Sequence, residues 1–121
     1  MNLNTARVFV RDLAAARRFY AEGLGLALRA HDAARGYCLF DAGNVELLIE
    51  AVPADAPAED QALVGRFTGL SFRVPSVHVA HQDMAQRGVV FTAAPERQFW
   101  GGTLATFRDP DGNQFQIVQR P

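Results

Sequence analysis

An order of structural signals occurs twice along this chain, and any fold must accommodate both copies. In "TARVFVRD", Thr5 to Asp12, side chains alternate as on a strand, with Ala6, Val8 and Val10 on one face and Thr5, Arg7 and Phe9 on the other. Asp12 is placed to cap the helix "LAAARRFYAEGLG", which is rich in helix formers and stops at Gly23 or Gly25. A weak strand near Leu26 to His31 comes next. The strands "GYCLFDAG" and "NVELLIEAV" then read as a pair joined by a turn around Asp41 to Asn44. Residues Val52 to Thr68 change to Ala, Pro and acid with little periodicity, as a solvated connection would. Beyond them the order returns: strand Leu70 to Val74, N-cap Ser76, helix to Arg87, Gly88, strand Val89 to Thr92, and strands Leu104 to Phe107 and Gln114 to Val118. Asp109-Pro110-Asp111-Gly112 between the last two is a tight-turn signal.

The economical fold is α+β: two βαβββ modules related by a pseudo-twofold, with curved sheets around a cleft and helices outside. The expected organisation is one domain over 1–121, with module 1 about 1–52, a connection about 53–68 and module 2 about 69–121. A chain of 121 residues, 49% hydrophobic and with nine Phe, can fill such a core.

Composition removes several functions. The net charge of −1 comes from 12 basic and 13 acidic residues spread along the chain, which gives no footprint for nucleic acid or an anionic membrane. All 12 basic residues other than His are Arg, so there is no lysine for a Schiff base or an activated amine. Cys38 is the one cysteine, so an internal disulfide is impossible. No apolar run reaches membrane-spanning length, and "MNLNTARVFVRD" holds no signal-peptide core, so a cytoplasmic protein is expected.

Two stretches resemble a known family. "VFVRDLAAARRFYAEGLGL" resembles the opening motif of the vicinal oxygen chelate superfamily, and "WGGTLATFRDPDGNQFQI" resembles its closing motif, about 90 residues later and in the expected order. That superfamily includes glyoxalase I, extradiol dioxygenases, methylmalonyl-CoA epimerase, fosfomycin resistance enzymes and metal-free bleomycin and mitomycin resistance proteins. Fold therefore leaves function open.

Enzymes of this family hold a divalent metal with His or Glu on each of four strands. The resemblance carries those positions onto Thr5, Glu46 (with one residue of register uncertainty), Gly69 and Gln116. A catalytic metal site needs about three protein ligands, glycine offers none, and Thr and Gln are weak neutral donors, so no metal is expected to bind. Gln116 then serves to hydrogen-bond an organic ligand, or is an ordinary strand residue facing solvent.

Other candidates come from position. Arg7 and Arg73 sit at corresponding inward positions of the two opening strands and suit an anionic or carbonyl-rich ligand, unless each is paired with an acid such as Glu46 or Asp41. Trp100 precedes two glycines and, with Phe9 and Phe99, can form a stacking wall for a planar ligand; the alternative is core or interface packing. His78 and His81 lie three apart on the second helix, a spacing that can put both on one metal, yet that helix is expected outside the sheet, with His81 packed on a stripe with Val77 and Met84 and His78 facing solvent. His31 reads as a surface residue, and Cys38 as a buried inert thiol with no His visibly placed to activate it.

The leading expectation is a metal-independent binder of the glyoxalase and bleomycin-resistance type. It sequesters an aromatic or anionic ligand in a dimeric cleft with Arg7, Phe9, Glu46, Arg73, Trp100 and Gln116, needs no cofactor, and engages no nucleic acid or membrane. Homodimerisation is implied by the resemblance. The alternative is an enzyme, a glyoxalase-like lyase or isomerase or a dioxygenase, in which Glu46 is a metal ligand or a general base. A third reading is an interaction module whose cleft is filled by its own side chains.

Overall fold

A computed structural model describes Met1–Pro121. Strand β1 (Thr5–Val10) leads into α1 (Leu13–Arg18), then β2 (Ala27–Asp32), β3 (Tyr37–Asp41) and β4 (Glu46–Ala51). A short α2 (Ala58–Gln61) precedes β5 (Phe67–Arg73), α3 (Val77–Gln86), β6 (Val90–Phe91), β7 (Glu96–Arg97), β8 (Thr103–Arg108) and β9 (Gln114–Gln119). The first sheet has the order β1-β4-β3-β2 and the second β5-β9-β8-β6, with β7 beside β8. In each, the opening strand runs parallel to the last strand of its own module, β1 with β4 and β5 with β9. The fold is thus α+β with two curved sheets that do not close into a barrel. No helix is long and apolar enough to cross a membrane.

The helices α1 and α3 start where a side chain can satisfy a free N–H. The Asp12 carboxylate accepts from Ala15 N at 3.0 Å, and the Ser76 hydroxyl accepts from Val79 N at 3.2 Å. α1 does not simply stop. Phe19–Gly23 widen into a π-turn, which ends with Leu24 N donating to Phe19 O at 3.0 Å.

One core serves both modules. Val8, Val10, Phe40, Leu47 and Ile49 from the first sheet join Ala105, Phe107, Phe115 and Ile117 from the second, with Tyr20, Val77 and Met84 from the helices. Tyr20 spans the join, its ring 5.8 Å from Phe40 and 5.9 Å from Phe115. The Phe107 and Phe115 rings stack at 5.6 Å.

The turn Asp109–Gly112 does more than reverse the chain. Asp109, 5% exposed, accepts hydrogen bonds from Tyr20 Oη (2.7 Å), Asp111 N (3.0 Å), Asn113 N (2.9 Å) and Asn113 Nδ2 (2.9 Å). Asn113 Nδ2 also donates to Phe9 O at 2.8 Å, while its Oδ1 accepts from Gly65 N and Arg66 N at 2.9 and 3.3 Å. Asp111 Oδ2 accepts from Arg11 N at 2.9 Å and Asp12 N at 3.2 Å, at the entry to α1. One turn of module 2 therefore grips β1, α1 and the connection of module 1.

The structure corrects several boundaries. The connection contains α2, and Val64 bridges to Phe9. β5 begins at Phe67, because a bulge at Gly69 (φ +74°) lets the strand pair earlier than its hydrophobic pattern shows. β6 is only two residues, and β7, equally short, has too few residues for any periodicity to register.

Asn113→Ala should lower stability by about 2–4 kcal/mol, because it orphans buried partners on both modules, while Glu59→Ala on exposed α2 stays within about 0.5 kcal/mol; urea unfolding checks both. Burial first, and then the Asp109 carboxylate, hold the Tyr20 phenol protonated well above the usual tyrosine range. Above about pH 10 the unfolded chain can release this proton and the folded chain cannot, so stability falls as pH rises. Unfolding free energies at about pH 9 and 11 should show that fall, and Tyr20→Phe should reduce its slope.

Candidate functional site

Helices cover one side of each sheet, and the other side is open. On the first sheet the open side carries Thr5, Arg7 and Phe9 of β1 with Glu46, Leu48 and Glu50 of β4, all exposed or half-buried, while Val8, Val10, Leu47 and Ile49 are buried beneath. On the second it carries Gln114, Gln116 and Val118 of β9 opposite Thr106 and Leu104 of β8, with Ser71 and Arg73 of β5. The two open sides adjoin at a seam between β1 and β5. There Thr5, Arg7 and Phe9 meet Arg66, Thr68 and Leu70 around a cavity of about 270 Å³.

Thr5 and Glu46 are direct partners across β1 and β4, so both project from the same face. In the second sheet Gln116 lies opposite Ser71 rather than Gly69, because the bulge displaces Gly69 from the ladder. A Cβ built on Gly69 would meet nothing within 4 Å.

These residues do not fit a metal site. Together they offer one carboxylate, two hydroxyls and one amide. Thr5 Oγ1 donates to Asn4 Oδ1 at 2.7 Å and Gln116 Nε2 to Thr106 Oγ1 at 3.3 Å, so what these two could turn to an ion is a neutral hydroxyl and a neutral amide oxygen. Nowhere do three His, Cys, Asp or Glu side chains converge to hold an ion.

Arg7 is held by Glu50, not by Glu46 or Asp41. Its Nε and Nη2 donate to the two Glu50 oxygens at 2.6 and 3.0 Å, and its guanidinium lies 5.3 Å from the Phe9 ring centre. Phe9 and Glu50 are ladder partners, which brings the fork within reach. Asp41 pairs instead with Arg29 at 2.7 Å, whose hydrogen bond holds that carboxyl below the usual range. Both pairs are largely exposed and contribute little to stability.

Arg73 is different. None of the three ion pairs includes it, and it lines a groove of about 460 Å³ with Pro75, Gln119, Arg120 and Pro121, a lining without an Asp or Glu side chain. Arg120 was missed by sequence reasoning because a charged residue beside the chain end carries no periodic signal. Trp100, 40% exposed, rests its ring on Gly102, and the adjoining Gly101 lies against Pro121 at the border of that groove. Phe99 is fully exposed. The six expected ligand residues thus do not converge on one cavity: Arg7 and Phe9 line the seam, Arg73 lines the separate groove, and Glu46, Gln116 and Trp100 line neither of these two.

A model of the Glyoxalase/Bleomycin resistance protein/Dioxygenase superfamily matches residues 2–117 of this chain. The chain belongs to that superfamily. The Bacillus subtilis (strain 168) uncharacterized protein YraH is 32% identical over 126 residues, covering 98% of both chains. A superfamily member from Sphaerobacter thermophilus DSM 20745 superposes with TM-score 0.83 at 25% identity, covering 99% of this chain and 98% of its own. TnmS3, an antibiotic binding protein from Streptomyces sp. CB03234, superposes with TM-score 0.79 at 26% identity, covering 100% of this chain and 97% of its own. The superfamily's βαβββ repeat is the arrangement of the first module, and the second follows it with the short β7 added beside β8.

The remaining candidates are structural. His81 packs its ring 4.3 Å from that of Phe91, and His78 is exposed. Cys38 is fully buried, and burial pushes its thiol up, although His31 proves to be its direct partner across β2 and β3.

Gly102→Ala would set a Cβ 1.7 Å from Trp100 Cζ3 and 2.5 Å from the Gln119 carbonyl oxygen. The expected result is displacement of the single tryptophan, read as a red-shifted emission maximum, and a stability loss of about 1–3 kcal/mol.

Proposed function

We propose that this superfamily member is a cytoplasmic, metal-independent small-molecule-binding protein, which sequesters an aromatic or anionic ligand in a cleft completed by a second copy of the chain. The observation that carries the reading is the donor set at the family's metal positions, where one carboxylate, Glu46, stands among hydroxyl, glycine and amide. A divalent ion would keep its water rather than exchange it for such partners. Similarity to an antibiotic binding protein supports the same class of function.

The binding chemistry follows from the open faces. Arg73, outside all three ion pairs, offers a fork for an oxyanion or carbonyl, Gln116 and Glu46 give acceptors and donors, and Phe9 and Trp100 give ring surfaces. Leu39, Leu48, Leu104 and Val118 remain half-buried on these faces, which favours pairing with a second copy that excludes water from the ligand.

The competing reading is an enzyme that uses Glu46, a carboxylate outside all three ion pairs. Metal analysis of the untagged protein, purified without chelator, should find zinc, nickel, iron and manganese far below stoichiometry. Near-stoichiometric metal overturns the proposal. In a thermal-shift screen of aromatic and anionic compounds, a hit should weaken about tenfold or more with Arg73→Gln. Glu46→Gln should change affinity only; loss of a measurable turnover would instead establish the enzyme.

A further inference from the structure

On the helix-covered side of the first sheet, away from both open faces, a groove of about 540 Å³ runs between α1 and the edge strand β2. α1 packs over β3 and β4 and leaves β2 beyond its edge uncovered. Two adjacent i, i+4 rows of the helix face this gap: Leu13, Arg17 and Ala21 in one, and Ala14, Arg18 and Glu22 in the other. The far wall is Leu28, His31 and Ala33. The two small alanines leave the space open, and the π-turn at Phe19–Gly23 carries Ala21 and Glu22 into the wall, a local widening that often accompanies function.

The charges of this groove are out of balance. All three ion pairs of the protein, Arg7–Glu50, Arg29–Asp41 and Arg35–Asp32, lie elsewhere on the first module. Arg17 and Arg18 join none of them, and Glu22 is the one acid in the lining, set against Arg17, Arg18 and His31. The walls between these groups are apolar through Leu13, Ala14, Ala21 and Leu28. A volume of this size lies within the range of sites for small organic ligands, and a few polar groups on an apolar lining is their usual chemistry.

We infer that this groove is a second binding site, for a small amphiphile with a terminal oxyanion on an apolar body. The oxyanion takes the Arg17 and Arg18 forks, and the body lies along Leu13, Ala21 and Leu28. The site does not depend on the proposed function of the open faces, since it shares no residue with them.

Sodium octanoate is the probe, titrated into the full chain and followed by ¹H–¹⁵N NMR. Saturable shifts should centre on the amides of Arg17, Ala21 and His31, and 1-octanol should bind at least about tenfold more weakly because it lacks the charge. Arg17→Gln/Arg18→Gln should weaken octanoate by about tenfold or more, while the melting temperature falls by only a few degrees because both side chains are exposed in the last turn of α1. Ala14→Trp should block the groove with both arginines retained. Shifts confined to Arg73 and Gln116, equal binding of 1-octanol, or undiminished binding by both variants would overturn the inference. So would sedimentation with phosphatidylglycerol vesicles without octanoate binding, which would mark the surface as one for lipid headgroups.

Discussion

A buried carboxylate tolerates few arrangements, and Asp109 has four donors converging on it from the helix of one module and the turn of the other. Asn113 extends the network to the backbone of β1 and to the connection at Gly65 and Arg66. Apolar contacts between two sheets would tolerate sliding, because burial of area has no direction. Hydrogen bonds to a buried group do have direction, so moving one module against the other strands a phenol, an amide or a carboxylate away from water. The position of β1 beside β5, and hence the placement of both open faces side by side, follows from this one turn.

Much of this architecture was legible because local rules and the global fold agree. The alternation of β1, β4 and β9, the caps Asp12 and Ser76, and the Asp-Pro-Asp-Gly turn each have a short-range cause. What escaped reading has a long-range cause. Asp109 and Asn113 look like ordinary turn residues, and only the tertiary fold places a tyrosine and a β1 carbonyl against them. Arg7 finds Glu50 through the parallel β1–β4 ladder, a pairing set 43 residues apart in sequence. The π-turn has no compositional mark, since its Phe, Tyr, Ala and Glu continue the helix pattern unbroken.

The site was legible by kind more than by layout. Arg7 and Arg73 occupy corresponding strands, yet one is neutralised by a bidentate acid and the other lies in a groove without an Asp or Glu side chain. The two modules therefore repeat the backbone while diverging in charge. A ligand of the proposed kind would meet a compensated first sheet, with Glu46 outside all three ion pairs, and two arginines, Arg73 and Arg120, at one end of the second.

The bulge in β5 also limits which chemistries the chain can reach by mutation. A histidine at Gly69 would occupy a left-handed backbone position, strained for any side chain, and would project where nothing stands within 4 Å. The position that faces Gln116 is Ser71, two residues on. The backbone thus sets Ser71, not Gly69, across from Gln116, so a histidine placed at Gly69 would not complete a symmetric four-ligand centre with Gln116. An engineered one would have to start from Ser71 and Gln116, or remove the bulge.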